Sequence, residues 1–223
     1  INDVSEAPTS NRGWYSEDSV QYLLWQYAQT NGVGFAPMFG VFTGPMRTSS
    51  IPASIHQFSS LLKAAVPGGA GAVDALLTTQ QITVQDGLGT GERNTGGLPS
   101  VPPVVLSLTG VSQQVCVTDT IAQPLGSSPR GNKLGNFAYV RFTASGSKRV
   151  TLTTSVGVTD PDIMLMLQDG SVQVLESVNV NSESQVVPLP SGTHTAIVYD
   201  FNDSKRLSND PAVGQRCFTF SVQ

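Results

Sequence analysis

What most restricts the fold of this chain is a set of short segments in its second half in which apolar and polar residues mostly alternate. They include Tyr139-Val140-Arg141-Phe142-Thr143, Val150-Thr151-Leu152-Thr153-Thr154, Asp160-Pro161-Asp162-Ile163 running on to Leu167, and Thr193-His194-Thr195-Ala196 running on to Tyr199. Alternation at period two gives each strand one apolar and one polar face, and the Gly, Asp and Ser clusters between segments supply the turns. Strands of this kind pack as antiparallel sheets with one face on a core and the other in water. The full set expected is Val104–Leu108, Val115–Thr118, Ala138–Thr143, Arg149–Ser155, Asp162–Gln168, Val172–Ser177, Ser184–Leu189, Thr193–Phe201 and Cys217–Val222.

The first part of the chain has a different period. Ser16 is placed to cap a helix whose first turn holds Glu17 and Asp18, acidic groups favoured by the helix dipole. Val20, Leu23, Leu24 and Tyr27 recur at helical spacing, Tyr22, Trp25 and Ala28 broaden the stripe, and Asn31-Gly32 closes it. A short apolar piece, Phe35 to Phe42, stops at Gly44-Pro45. A second helix is expected from about Pro52, with Ile55, Phe58, Leu62, Ala65 and Val66 as its apolar face and Pro67-Gly68-Gly69 as its stop. A third runs from Ala72 to about Gln80 on Val73, Leu76 and Leu77. Residues 83–103 are dense in Gly and Pro and read as a linker or long surface loop. The expected architecture is therefore α+β. A small helical unit (1–82) and a linker precede an antiparallel, jelly-roll-like β-sandwich (104–223).

Composition bears on setting and partners. Charged residues make up 13% of the 223 residues, with 12 basic, 16 acidic and a net charge of −4, so no basic patch invites nucleic acid. The polar surface must be built from Ser, Thr, Asn and Gln, as in exported proteins, and no apolar run is long enough to cross a bilayer. The chain opens Ile1-Asn2-Asp3, without an initiator Met or a signal peptide, which leads to the expectation of a processed product or a fragment of a longer precursor.

Cys116 lies between Val115 and Val117, and Cys217 is followed by Phe218 and Phe220 at odd spacing. Period two puts both sulfurs on the face opposite those apolar residues, where strands near the start and end of the sandwich would bring them together. A bridge there would close a loop of about 100 residues, worth on the order of 4–5 kcal/mol by the chain-entropy model. The alternative is two free thiols in a reduced protein; the exported character of the composition favours the disulfide.

In the order of its parts the second half resembles the bacterial pre-peptidase C-terminal domain, a small β-sandwich appended to secreted hydrolases, most often metallopeptidases. The resemblance covers roughly residues 130–222. It rests on the Tyr139…Phe142 strand, the Gly146 turn, the Asp160-x-Asp162 entry to a Leu-rich strand, and Ser191-Gly192-Thr193 before a strand ending in Tyr199. The helical part, with Gly13-Trp14-Tyr15-Ser16-Glu17, Phe35-Ala36-Pro37 and Thr43-Gly44, looks like the tail of a bacterial zinc-metallopeptidase-like family. In that family an HExxH helix and a downstream Glu ligand precede this region. The resemblance implies the non-catalytic C-terminal part of a secreted metallopeptidase-like protein. The sandwich would then be an accessory module for targeting, binding or stabilisation, and zinc would be confined to the upstream part. The rival reading is a stand-alone extracellular binding module for a surface polymer or protein; a structural surface protein without a ligand is a third.

The residues present agree with a chain that lacks its own catalytic centre. HExxH chemistry needs two His one helical turn apart, and this sequence has only His56 and His194, in different expected elements. His56 lies off the apolar stripe of its helix and reads as exposed. His194, between Thr193 and Thr195, reads as a sandwich-surface residue. Either could serve as a lone metal ligand, the less favoured reading, because a useful site needs convergent ligands and supporting partners. No Ser sits in a Gly-x-Ser-x-Gly turn, and no Asp stands suggestively beside either His. Tyr15 has two readings, an oxyanion stabiliser reaching an upstream site or a core aromatic packed with Trp14, and the second is preferred. The acidic loops are the remaining sites. Asp160 and Asp162 flank Pro161, and Asp200 and Asp203 follow another strand. Grouped hard oxygen ligands suit calcium, and the resemblance implies it, since some sandwiches of that family bind calcium near such loops; the reading of these Asp residues as ordinary turn formers is preferred. The Asp86-to-Glu92 loop reads as plain turn chemistry. A severed helical subdomain would leave an apolar face in need of a cover, with Trp14, Trp25 and Phe35 near it.

Overall fold

The computed structural model describes residues 3–83, 86–96, 104–105, 110–118, 134–154, 159–175, 180–204 and 214–223. Two compact units emerge, one ending at Gly96 and the other containing the described residues from Val104 onward. The architecture is α+β, as the periodicities imply.

In the first unit α1 spans Glu17–Gln29, and the Ser16 side chain caps it by accepting the Ser19 backbone N–H. Its inward positions are Ser19, Leu23 and Tyr27, spaced four apart. The Phe35-to-Phe42 piece is itself a helix, α2 (Phe35–Thr43), with Met38 and Val41 facing inward. Helix α3 spans Ile55–Ala65 and starts later than Pro52, because Ser54 accepts the Gln57 N–H and so fixes the cap. Helix α4, Ala70–Thr79, follows a 3₁₀ turn at Pro67–Gly69. Tyr27, Phe58, Leu62, Val73 and Leu77 form the buried centre. The segment 86–96, taken from its glycines as linker or loop, is a loop that belongs to this unit.

In the second unit the described strands are β1 (Val104–Val105), β2 (Ser112–Thr118), β3 (Phe137–Thr153), β4 (Pro161–Met166), β5 (Val172–Leu175), β6 (Ser182–Asp200) and β7 (Gln215–Val222). Sequence punctuation suggests four strands where the structure has two. The Gly146 and Ser191-Gly192 breaks lie inside β3 and β6, which pair along their whole length from Phe137↔Tyr199 to Thr153↔Ser182. The register shifts between Ala144 and Gly146, where Gly146 adopts φ +75°, so both strands bend at one level and the ladder resumes beyond it.

That bent ribbon makes the sandwich. Its first half, with β1 on Val140–Arg141 and β4 and then β5 beyond β6, forms one layer. The second half, with β7 on Val150–Thr153 and β2 outside β7, forms the other. All these pairings are antiparallel except β1 with β3. The inward residues of both layers form one apolar cluster that includes Val140, Phe142, Leu152, Ile163, Val198, Phe218 and Phe220. Phe142 of one layer meets Phe220 of the other with ring centroids 6.0 Å apart.

Candidate functional site

Cys116 and Cys217 are direct partners across β2 and β7 and form a disulfide, 101 residues apart in sequence. Val115, Val117, Phe218 and Phe220 point into the core, so the sulfurs sit on the outer face as the alternation requires. The bridge pins an outermost strand to its neighbour.

The three candidate calcium ligands gather at one end of the β4–β6 pair but do not share a face. Pro161 pairs with Asp200 and Asp162 with Tyr199. Asp200 therefore points to the same side as Val198 and Ile163, into the core, whereas Asp162 points to the other side with Tyr199. Asp160 precedes the strand, and its carbonyl accepts the Phe201 N–H at 2.7 Å. The Asp200 carboxylate is taken by an ion pair with the Arg216 guanidinium and by the Asn202 backbone N–H (3.0 Å). Arg216 lies on β7 and Asp200 on β6, so this pair, with the carboxylate buried and the guanidinium partly so, ties the two layers together at the end of the core. Among the described residues no group of three or more His, Cys, Asp or Glu is placed to hold a metal ion. The Asp203 side chain lies outside the described residues.

Both histidines depart from the sequence reading. His194 is buried, facing inward opposite Phe142 with its ring 5.7 Å from that residue's, and its Nε2 lies 3.0 Å from the Pro190 carbonyl. The signal was available: His194 shares its parity with Ala196 and Val198, and the flanking threonines concealed it. His56 is also buried, because α3 is covered on two sides. The Ile55–Phe58–Leu62 side packs into the helical core, and the 86–96 loop lies over the adjacent side. Gly89, at φ +68°, makes that approach possible, since a Cβ there would lie 2.7 Å from the imidazole.

Beneath this loop lies a polar cluster that sequence reading missed. Glu92 is buried; its Oε2 accepts the Thr83 N–H (2.8 Å), and its Oε1 accepts from the Thr83 hydroxyl (3.0 Å), the Arg93 N–H (2.8 Å) and the Asn94 N–H (2.9 Å). Its Oε2 also stands 3.7 Å from His56 Nε2, within ion-pair range but beyond hydrogen-bond reach. That nitrogen has no hydrogen-bond partner, nor do the side-chain amide atoms of the neighbouring Gln57. Asn94 donates to the Arg12 and Gln81 carbonyls, and its own carbonyl accepts the Trp14 indole N–H at 2.8 Å. Tyr15 proves to be a core aromatic: its ring packs edge-on against Trp14, and its one hydroxyl proton is shared between the Asn94 side-chain oxygen (3.0 Å) and the Arg12 carbonyl (3.1 Å). Burial, with the Glu92 charge adding to it, pushes the Tyr15 phenol above its usual range, which keeps it a donor. Asp86 folds the turn by accepting from Leu88, Thr90 and the Thr90 hydroxyl. This much of the loop is the turn chemistry its sequence suggests; the Glu92 end is a buried lock.

Of the three aromatics expected near a cover, Trp14 is buried, while Trp25 and Phe35 are 44% and 68% exposed. Phe39 and Phe42 join them at 57% and 45%. Phe35, Phe39 and Phe42 fall at i, i+4 and i+7 on the outer side of α2. Phe35 stacks on Phe39 (6.1 Å), and Phe42 on the buried Phe58 (4.5 Å). No charged residue occurs between Asp18 and Arg47.

No family model matches the chain, and no curated protein matches it. Solved structures similar to it include the pre-peptidase C-terminal domain of a collagenase from Bacillus anthracis. That domain is 10% identical, with a TM-score of 0.34 over 55% of this chain and 97% of the domain. Others are PliG, a periplasmic inhibitor of g-type lysozyme, from Aeromonas hydrophila (12% identity, TM-score 0.31, 54% of this chain and 96% of that one) and from Salmonella Typhimurium (11%, 0.31, 54% and 99%). Likenesses at this level assign no family and no activity.

Proposed function

We propose that this chain is a non-catalytic part of an exported protein, whether secreted, periplasmic or held at the cell surface. Its helical unit docks on an upstream peptidase-like region of the same precursor, and its β-sandwich is an accessory module for targeting, binding or stabilisation. The observation that carries the reading is the uncharged aromatic stripe Phe35–Phe39–Phe42 on α2. Aromatic side chains stacked outward on a helix have a large apolar area still to bury, as a face made for another protein surface does. The Cys116–Cys217 bridge and the low charge content support export. The rival, a free-standing binding module, calls for an aromatic platform on the sandwich. The exposed large apolar residues described there are valines: Val111, Val172, Val174, Val180 and Val186.

The test is reconstitution. The region encoded upstream of Ile1, produced as a separate chain, should contain an HExxH helix with a downstream Glu and should bind this chain. Replacing Phe35 and Phe39 together by Ser should weaken that binding at least tenfold. An upstream region without the zinc motif sinks the peptidase-like parentage, and binding indifferent to the double substitution sinks the docking face.

A further inference from the structure

We propose that the 86–96 loop is a pH-sensitive strap over α3: it is closed while the His56 imidazole is neutral and is released when that ring takes a proton. The geometry leaves a proton on Nε2 nowhere favourable to go. His56 is buried against Trp14 (6.2 Å between ring centroids) and under Gly89, and its Nε2 is unpartnered. The nearest anion, Glu92, is 3.7 Å away and already accepts four hydrogen bonds, two from Thr83 that hold the strap down and two from Arg93 and Asn94 that shape it. Turning that carboxylate toward an imidazolium would sacrifice those bonds, and leaving it in place buries an imidazolium whose Nε2–H has no acceptor within hydrogen-bond reach; both weaken the closed form.

The other titratable groups around the ring are few. The strap contributes Asp86, and the segment before α1 contributes the Tyr15 phenol, which is directed at Asn94. Burial lowers the basicity of His56; the charges of Glu92 and Asp86 act in the opposite sense and offset only part of it. The open strap, where the ring is hydrated, thus binds the proton more tightly than the closed one. Closure is fully favoured above the ordinary imidazole value of about 6.5 and is lost as pH falls below it.

Trp14 reports on the strap directly, because its indole N–H donates to the Asn94 carbonyl. In a Trp25→Phe background, Trp14 emission followed from pH 8 to pH 5 should shift to the red with a midpoint below 6.5. The protection factors of the Thr83 and Asn94 amides, each rate taken relative to the intrinsic rate at the same pH, should fall at least tenfold by pH 5, with the helical circular-dichroism signal retained. His56→Gln should abolish the transition. Glu92→Gln removes a charge that favours the proton, so any remaining transition should move to lower pH; this keeps the idea testable if His56→Gln fails to fold. Emission and protection factors that stay flat to pH 5, or a transition that survives in His56→Gln, would overturn it.

Discussion

Glu92 and Asp200 show how much a single buried group decides here. Glu92 satisfies three backbone N–H groups and a hydroxyl, so Glu92→Ala should destabilise the helical unit by about 2–4 kcal/mol, since each stranded donor costs roughly 1–3 kcal/mol and relaxation recovers part. Urea unfolding followed through Trp14 measures it. Arg216→Ala leaves the buried Asp200 carboxylate with its guanidinium partner gone, and by the cost of breaking such a pair should destabilise the sandwich by about 3–5 kcal/mol. An unfolding midpoint within error of the parent would show that the Asp200 pair carries no weight. Neither interaction was legible in the sequence. Asp200 read as a loop ligand and Glu92 as part of a turn, because a carboxylate's partner is set by the register and by loop docking, which no local pattern encodes.

At the scale of elements, the strands were legible in type and placement, but their continuity was not. Gly146 and Ser191-Gly192 read as turns, and in isolation they would be; two matched breaks at one level of a paired ribbon become a bend. The disulfide belongs to this scale as well. It joins directly paired residues of β2 and β7, and β2 has no neighbour but β7 in the main strand order. Cys116→Ser together with Cys217→Ser should destabilise the sandwich by about 2–5 kcal/mol, the usual cost of removing a native disulfide. Urea unfolding of the double variant beside the parent checks this; equal midpoints would mean that the bridge is ornamental. For α2, the aromatic content was visible, but its helical form was not anticipated, so its three outward phenylalanines appeared only when the helix gave them a common side.

Across the whole molecule, low charge, a bridged sandwich and an outward aromatic helix are the features on which the proposed docking rests. Phe35→Ser with Phe39→Ser should leave the melting temperature within about 2 °C, since both side chains are exposed, while reducing the binding of a hydrophobic dye such as ANS severalfold. A large loss of stability would show that these rings already have a partner inside the fold. What the sequence determined by itself was whatever repeats along the chain: two helical stripes and a third short helix, the period-two strands, the outward side of both cysteines and the α+β class, all consequences of 3.6- and 2-residue geometry acting locally. The tertiary structure alone decided what crosses the chain: His56 under a glycine loop, Glu92 locked to Thr83, Asp200 turned inward to Arg216 and away from Asp162. Those outcomes depend on which backbone lies over which, and burial by a second covering layer leaves no period in the sequence that it covers.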